Sequence, residues 1–507
     1  MGKVKEILFN RQLIMCYILI SVSMTMTYLP SLLVKLLIWS SFGWALIYII
    51  YTVISDKSLL KMKYTKAAII FILTAVLTAV LTLAREKNIS VFIDNIQIVI
   101  SYIVYFLFLL MPDKKSRGIK DFKLIGYVML IMYFIPIVMS AIQALFNIRI
   151  DNFMYTSHGY LSWKGRYYTL FQNPNGYSSV CAILICIIIY LRSLISNKIL
   201  KSLLIFYEIC AIISIGMCAS RGVLVAVVAG IFVYNLAPLV RSYKKEKTST
   251  IFWRVIKTLS VSFIAAVYMY FASGYIDNMI PMIRFYINNR QQSTQISEIT
   301  KQETMPSTTV TEPTNSTVMP TEAITVSPTE TQTVMPTEII TIKPTESISP
   351  TSAQPTTQMV TSPTNIQYTF APGRDYQEQG PDPSNGRFEK WLYAAKTVIK
   401  RPLFGCSMYG EKSISCHNAF ITVLLAYGII GFTVFMLIIL SQMKKSVERY
   451  INCQSNEVER RIILTILIGI LVKALTGDIL ILAYENVNII FYVLLGIVAN
   501  LKEVEKG

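Results

Sequence analysis

RFEKWLYAAKTVIKRPLFGCSMYGEKSISCHNAFITVLLAYGIIG, residues 387–431, joins an amphipathic helix to the mouth of an apolar one. On a helical wheel Phe388, Trp391, Leu392, Ala395, Val398 and Ile399 share one stripe, and Lys390, Lys396, Lys400 and Arg401 lie opposite. A short helix of this kind lies in the interface of a bilayer. Pro402 and Gly405 then turn the chain, and an apolar run long enough to span begins at His417. What surrounds this stretch decides which side of the membrane it occupies.

Upstream and downstream, apolar runs recur from residue 12 to residue 500 in a chain of 507 residues that is 53% hydrophobic, with a mean hydropathy of +0.51. The composition excludes a soluble core and predicts an all-α polytopic membrane protein. About twelve transmembrane helices are expected, near 11–29, 34–54, 65–84, 91–111, 123–146, 177–195, 200–219, 222–240, 253–273, 417–441, 462–482 and 484–501. The chain then divides into an N-terminal bundle of about nine helices (1–273), a long loop (274–416) and about three C-terminal helices (417–507). No cleavable signal peptide is expected, because the first apolar run leads into another and not into a cleavage site.

The net charge of +18 does not point to nucleic acid as a partner, because the basic residues cluster in short loops between apolar runs. Alternate connections carry Lys3, Lys5 and Arg11; Lys57 to Lys66; Lys114 to Lys123; Arg192 to Lys201; Arg241 to Lys257; Lys444 to Arg461; and Lys502 with Lys506. These hold more than half of the 47 Lys and Arg residues. The positive-inside rule makes that side cytoplasmic, with both termini there, and puts the opposite loops and residues 387–416 outside.

The long outer loop changes composition along its length. Residues 305–365 repeat an octad, as in MPTEAITV, SPTETQTV and MPTEIITI, and cannot bury a core. A disordered Thr/Pro insertion acting as a spacer is expected there, with order returning at Asn385-Gly386 and the amphipathic helix over 387–401. Of the eight cysteines, most fall in or beside apolar runs without metal-ligand spacing. Cys406 and Cys416 bracket the segment before His417, and the sequence leaves open whether they close a disulfide.

His417 and His158 are the only two histidines. A lone histidine is commonly structural, but His417 shares the outer face with Arg166, Arg221 and Arg387. Histidine can accept a proton from a hydroxyl near neutral pH, and guanidinium forks match phosphate oxygens. A single arginine at that depth can instead reach lipid phosphates; three around one histidine favour a site. Lys473, expected inside the eleventh helix, is either a structural partner of Asp478 or Glu485 or a substrate contact.

FQNPNG at 171–176, the SRG turn at 220–222, Arg387-x-x-x-Trp391 followed by Arg401-Pro402-Leu403-x-Gly405, and His417-Asn418 followed by GIIG together resemble the O-antigen ligase and polymerase superfamily of bacterial membrane glycosyltransferases. The likeness spans roughly residues 165–440 without the repeat, and each motif alone is weak. It implies transfer of a glycan from undecaprenyl diphosphate to a hydroxyl acceptor outside the cytoplasmic membrane. It also implies catalytic roles for His417, Arg387 and Arg221, the arginines stabilising the diphosphate leaving group and the histidine activating the acceptor. Arg166, Asn173, Asn175, Trp391 and Lys473 are the substrate-binding candidates. No cofactor is expected and, with no outer Asp-x-Asp pair, no metal. The expected partners are the lipid-linked oligosaccharide, the glycan acceptor, the bilayer and other polysaccharide-assembly membrane proteins. The Pro/Thr repeat resembles surface linkers of Gram-positive bacteria, which favours a polymerase over a ligase. A flippase for the same lipid, or a peptidoglycan polymerase of the shape-and-division type, are the alternatives.

Overall fold

The computed structural model describes residues 6–24, 31–55, 63–110, 119–146, 174–218, 220–242, most of 251–267, 386–452, 457–481 and 485–499. The chain divides into two units, residues 1–291 with 370–507, and residues 292–369. The 305–365 repeat, Arg166, Asn173 and His158 lie outside the described residues.

Every element among the described residues is helical. In chain order these are α1 (Arg11–Ser23), α2 (Ser31–Ser55), α3 (Lys63–Glu86) and α4 (Ile89–Ile103), which runs into a wider π-helical turn over Val104–Leu109. Next come α5 (Ile119–Phe146), α6 (Pro174–Leu194), α7 (Lys198–Cys218) and α8 (Arg221–Ser242). The C-terminal part holds α9 (Arg387–Lys400), α10 (Ala419–Asn452), α11 (Glu457–Ala474) and α12 (Asn486–Ala499). Eight helices among the described residues are long and apolar enough to cross a membrane, which makes this a multi-pass membrane protein; α1 and α12 are shorter apolar helices. Of the expected helix at 253–273, residues 255–264 are described and helical.

α12 sits in the middle. Val487 and the run from Ile489 to Val498 are almost wholly buried, and the helix touches α1, α5, α6, α10, α11 and the π-helical turn. A helix apolar on all sides suits such a buried place. Gly496 permits the closest of these approaches, because a Cβ there would stand 2.3 Å from the carbonyl oxygen of Leu109.

Two departures from the expected helices shape the end of the bundle near His417. The first lies in α10, which is one helix broken at Gly428 (φ 63°, ψ −168°). The turn after α9 lies against that break: Cys406 N donates to Leu425 O (3.0 Å), Ser407 N to Ala426 O (2.8 Å) and Ile429 N to Pro402 O (2.7 Å). Backbone groups freed by the break are thereby satisfied by a neighbouring segment, as irregular chain in a membrane protein requires. Gly405 and Gly428 are both left-handed, and a Cβ on either would come within 2.4 Å of an opposing carbonyl oxygen. The Pro-Leu-x-Gly and Gly-Ile-Ile-Gly segments are thus two halves of one contact.

The second departure corrects the helix expected over 462–482. α11 stops at Ala474, where Thr476-Gly477-Asp478 turns the chain. The irregular residues that follow are held by side chains: Asn418 Nδ2 donates to Leu475 O (3.1 Å), Tyr102 Oη to Ile481 O (3.2 Å) and Tyr492 Oη to Leu480 O (2.9 Å). Asp478 is therefore not a helix residue; it sits on a turn facing α10.

Candidate functional site

Asn418 caps α10, its Oδ1 accepting from the backbone N–H groups of Phe420 (3.0 Å) and Ile421 (3.2 Å). The cap leaves His417 just outside the helix, in a left-handed conformation (φ 50°) that histidine tolerates better than most side chains. Asp478 fixes this corner. Its Oδ2 accepts from Ser415 Oγ and from the His417 backbone N–H (3.3 Å), and its Oδ1 accepts from Thr422 Oγ1 (2.7 Å). His417 Nδ1 stands 4.0 Å from Asp478 Oδ2 and 3.5 Å from Ser415 Oγ. Nearly half of the His417 side chain is exposed.

α9 packs across this corner. Trp391 Nε1 donates to Cys416 O (2.9 Å), and Trp391, Ala394 and Val398 meet Cys406, Cys416 and Leu425. The apolar stripe read from the sequence is therefore split. Trp391 and Val398 dock on the protein, while Phe388, Leu392, Ala395 and Ile399 remain exposed. Cys406 and Cys416 are both free, buried thiols in this cluster, so the disulfide is not formed. Burial pushes them up to about 11 and about 12, which keeps them protonated.

Docking α9 this way sets the charges around His417. Partial burial lowers its pKa below the usual 6.5; Lys390, Arg387 and Lys473 lower it further, and Asp478 opposes them. Because 47% of the side chain meets solvent, water screens part of each contribution. Lys390 is also held below its ordinary value, by burial above all, while Asp478 pulls it back up. Sequence reasoning left Lys390 on the polar face of α9 and weighed Asp478 only as a partner of Lys473.

The SRG turn meets the same end of the bundle through Lys473. A Cβ on Gly222 would stand 2.3 Å from Thr476 Oγ1 and 2.9 Å from Lys473 Nζ, so a larger residue between the start of α8 and the end of α11 displaces these side chains. Ser220 Oγ donates to Asn175 Oδ1 (2.9 Å), tying the first turn of α6 to that turn. Lys473 is buried and interacts electrostatically with both Glu485 and His417. Arg387 and Lys473 thus act on His417 through their charge, Trp391 is bonded to the residue before it, and Asn175 is bonded to, and Arg221 part of, the turn whose Gly222 presses on Lys473. Arg221 itself is exposed at the first position of α8. Among the described residues no group of three or more His, Cys, Asp or Glu could hold a metal ion.

The arrangement pairs one neutral base with several fixed cations at the end of an apolar bundle, a combination suited to an anionic lipid headgroup and a hydroxyl nucleophile. Comparison of the chain with family models and with curated proteins finds no match.

Proposed function

We propose that the protein is a membrane glycosyltransferase. It moves a glycan from an undecaprenyl diphosphate carrier to a hydroxyl acceptor on the outer side of a bacterial cytoplasmic membrane, as a polymerase of surface polysaccharide. The observation that carries this is the setting of His417 between the Asp478 carboxylate, 4.0 Å from Nδ1, and the cations Lys390, Arg387 and Lys473.

In this mechanism the neutral ring takes the acceptor proton on Nε2, and Asp478 stabilises the imidazolium that forms. The acceptor oxygen bonds to the anomeric carbon as the bond from that carbon to the diphosphate oxygen breaks, and the bonding pair leaves with the diphosphate. Arg387, Arg221 and Lys473 stabilise the charge that develops there. The exposed face of α9 lies in the outer leaflet and lets the carrier approach from the bilayer. Both termini are then cytoplasmic and the long loop is outside, as the distribution of lysine and arginine requires.

The test is to replace His417, Arg387 and Arg221 one at a time in the native host and locate the lipid-linked repeat units. A transferase defect leaves single repeat units accumulated outside the membrane. Units trapped on the inner side would instead identify a flippase and overturn the proposal.

A further inference from the structure

Glu485 is the residue just outside α12, and its carbonyl oxygen accepts the first bonds of that helix, from Asn488 N (3.1 Å) and Ile489 N (3.3 Å). Its backbone is thereby fixed, but its side chain is not. Glu485 Oε2 is buried without a hydrogen-bond donor, and both amide atoms of the adjacent Asn486 are likewise buried without a partner. Asp478, the other acid at this end of the bundle, is held differently: Ser415, Thr422 and the His417 backbone all donate to it. Those donors favour the ionised form of Asp478. A buried carboxylate oxygen with none depends on a neighbouring cation to keep its charge.

For Glu485 that cation is Lys473. Burial pushes the Glu485 carboxyl up to about 7; Lys473 pulls it back down, and Asp478 adds to the rise. Lys473 and Asp478 also act on His417, together with Lys390 and Arg387. These three cations and two acids leave one surplus positive charge around a neutral His417. A ligand with two negative charges reverses that balance, and a single added proton neutralises it. An imbalance of this kind is costly where water is scarce.

We propose that Glu485 takes up that proton: an anionic headgroup that engages Lys473 withdraws the lysine's charge from Glu485, and the carboxylate binds one proton from water in exchange. The proton is released when the anion leaves. Binding and protonation are thus linked, and His417 stays neutral and able to act as a base. That the anion is a diphosphate rests on the proposed function; the exchange itself rests on Glu485, Asp478 and Lys473.

The experiment uses the full chain with His417→Ala, in lipid nanodiscs, and a short-chain prenyl diphosphate hexose as the probe. Both phosphates of the probe are esterified, so its charge stays constant near neutral pH, and the substitution removes the imidazole as a competing proton acceptor. Calorimetry in buffers of different ionisation enthalpy counts the protons. Uptake should rise toward one per bound probe as pH passes about 7, and vanish below it, where the carboxyl already holds its proton. Affinity should be flat below about 7 and fall by up to about tenfold per pH unit above it. Glu485→Gln should bind the probe without uptake and keep its affinity as pH rises. Uptake that persists in Glu485→Gln, as it would if Lys390 were the acceptor, overturns the proposal. If that variant does not fold, infrared difference spectra of the His417→Ala chain decide. Binding should raise a protonated-carboxyl stretch that shifts with isotope-labelled glutamate, and a spectrum without it overturns the proposal. A probe bound with proton uptake but never consumed by the wild-type chain removes the transferase function and leaves the exchange standing. A probe consumed without uptake does the reverse.

Discussion

His417 takes its character from groups that the chain brings in from separate elements: Lys390 and Arg387 on α9, Lys473 on α11 and Asp478 on the turn after it. Its lowered pKa keeps the ring neutral at neutral pH, so a rate that needs the neutral ring should be flat above about 6.5 and fall at lower pH. Removing a cation lets the ring hold its proton more tightly, so Lys390→Gln should move the acid limb of the pH–rate profile to higher pH. Asp478→Asn should move it to lower pH, because the carboxylate favours the imidazolium. Limbs that stay in place in both variants would contradict the assignment. The stability linkage has the same sign: the unfolded ring binds its proton more readily, so His417 destabilises the fold as pH drops from about 6.5 toward its folded pKa. At Gly222, a Cβ would displace Lys473, so Gly222→Ala should depress transfer more than it depresses the melting temperature. Lys390 was hidden in the sequence because a helical wheel places it among the solvated lysines. Asp478 was read only as a partner of Lys473, because the apolar run around it reads as one continuous helix and hides the turn that faces His417.

The break in α10 belongs to the element scale. Gly405 and Gly428 each hold a positive φ and each face an opposing carbonyl, so Gly405→Ala and Gly428→Ala should both destabilise the protein, by at least ~1 kcal/mol for the left-handed backbone alone. The two substitutions spoil one contact. The double variant should therefore lose less than the sum of the singles in thermal unfolding; strict additivity would show that the segments act separately. The sequence showed both glycines and a Pro/Gly turn, but their partnership joins segments more than twenty residues apart and leaves no local periodicity. α9 shows a related limit. A hydrophobic stripe records what avoids water and does not separate a protein surface from a bilayer. A fluorophore on Leu392→Cys should be quenched by brominated lipid, whereas one at Lys396 should not. Equal quenching at the two positions would contradict an interfacial α9.

Over the whole molecule, the apolar runs carried the helical, membrane-spanning architecture plainly, because bilayer thickness acts directly on sequence. The ends of helices were less legible. The chain after α11 is held by Asn418 and Tyr102, distant in the chain, and by Tyr492 of the next helix. Of the candidate site, Arg387, His417 and Lys473 were proposed from type and position, while their electrostatic coupling rests on the docking of α9 and the end of α11. The same architecture predicts that deleting residues 305–365 leaves transfer intact, and an inactive deletion would show that the repeat is more than a spacer. The most direct measurement reconstitutes the purified chain with an undecaprenyl-diphosphate-linked oligosaccharide and follows released lipid diphosphate and extended glycan. The wild-type chain should form both, and His417→Ala should be slower by roughly a hundredfold or more, the scale of a lost general base. A His417→Ala protein that transfers glycan at the wild-type rate would contradict the central claim.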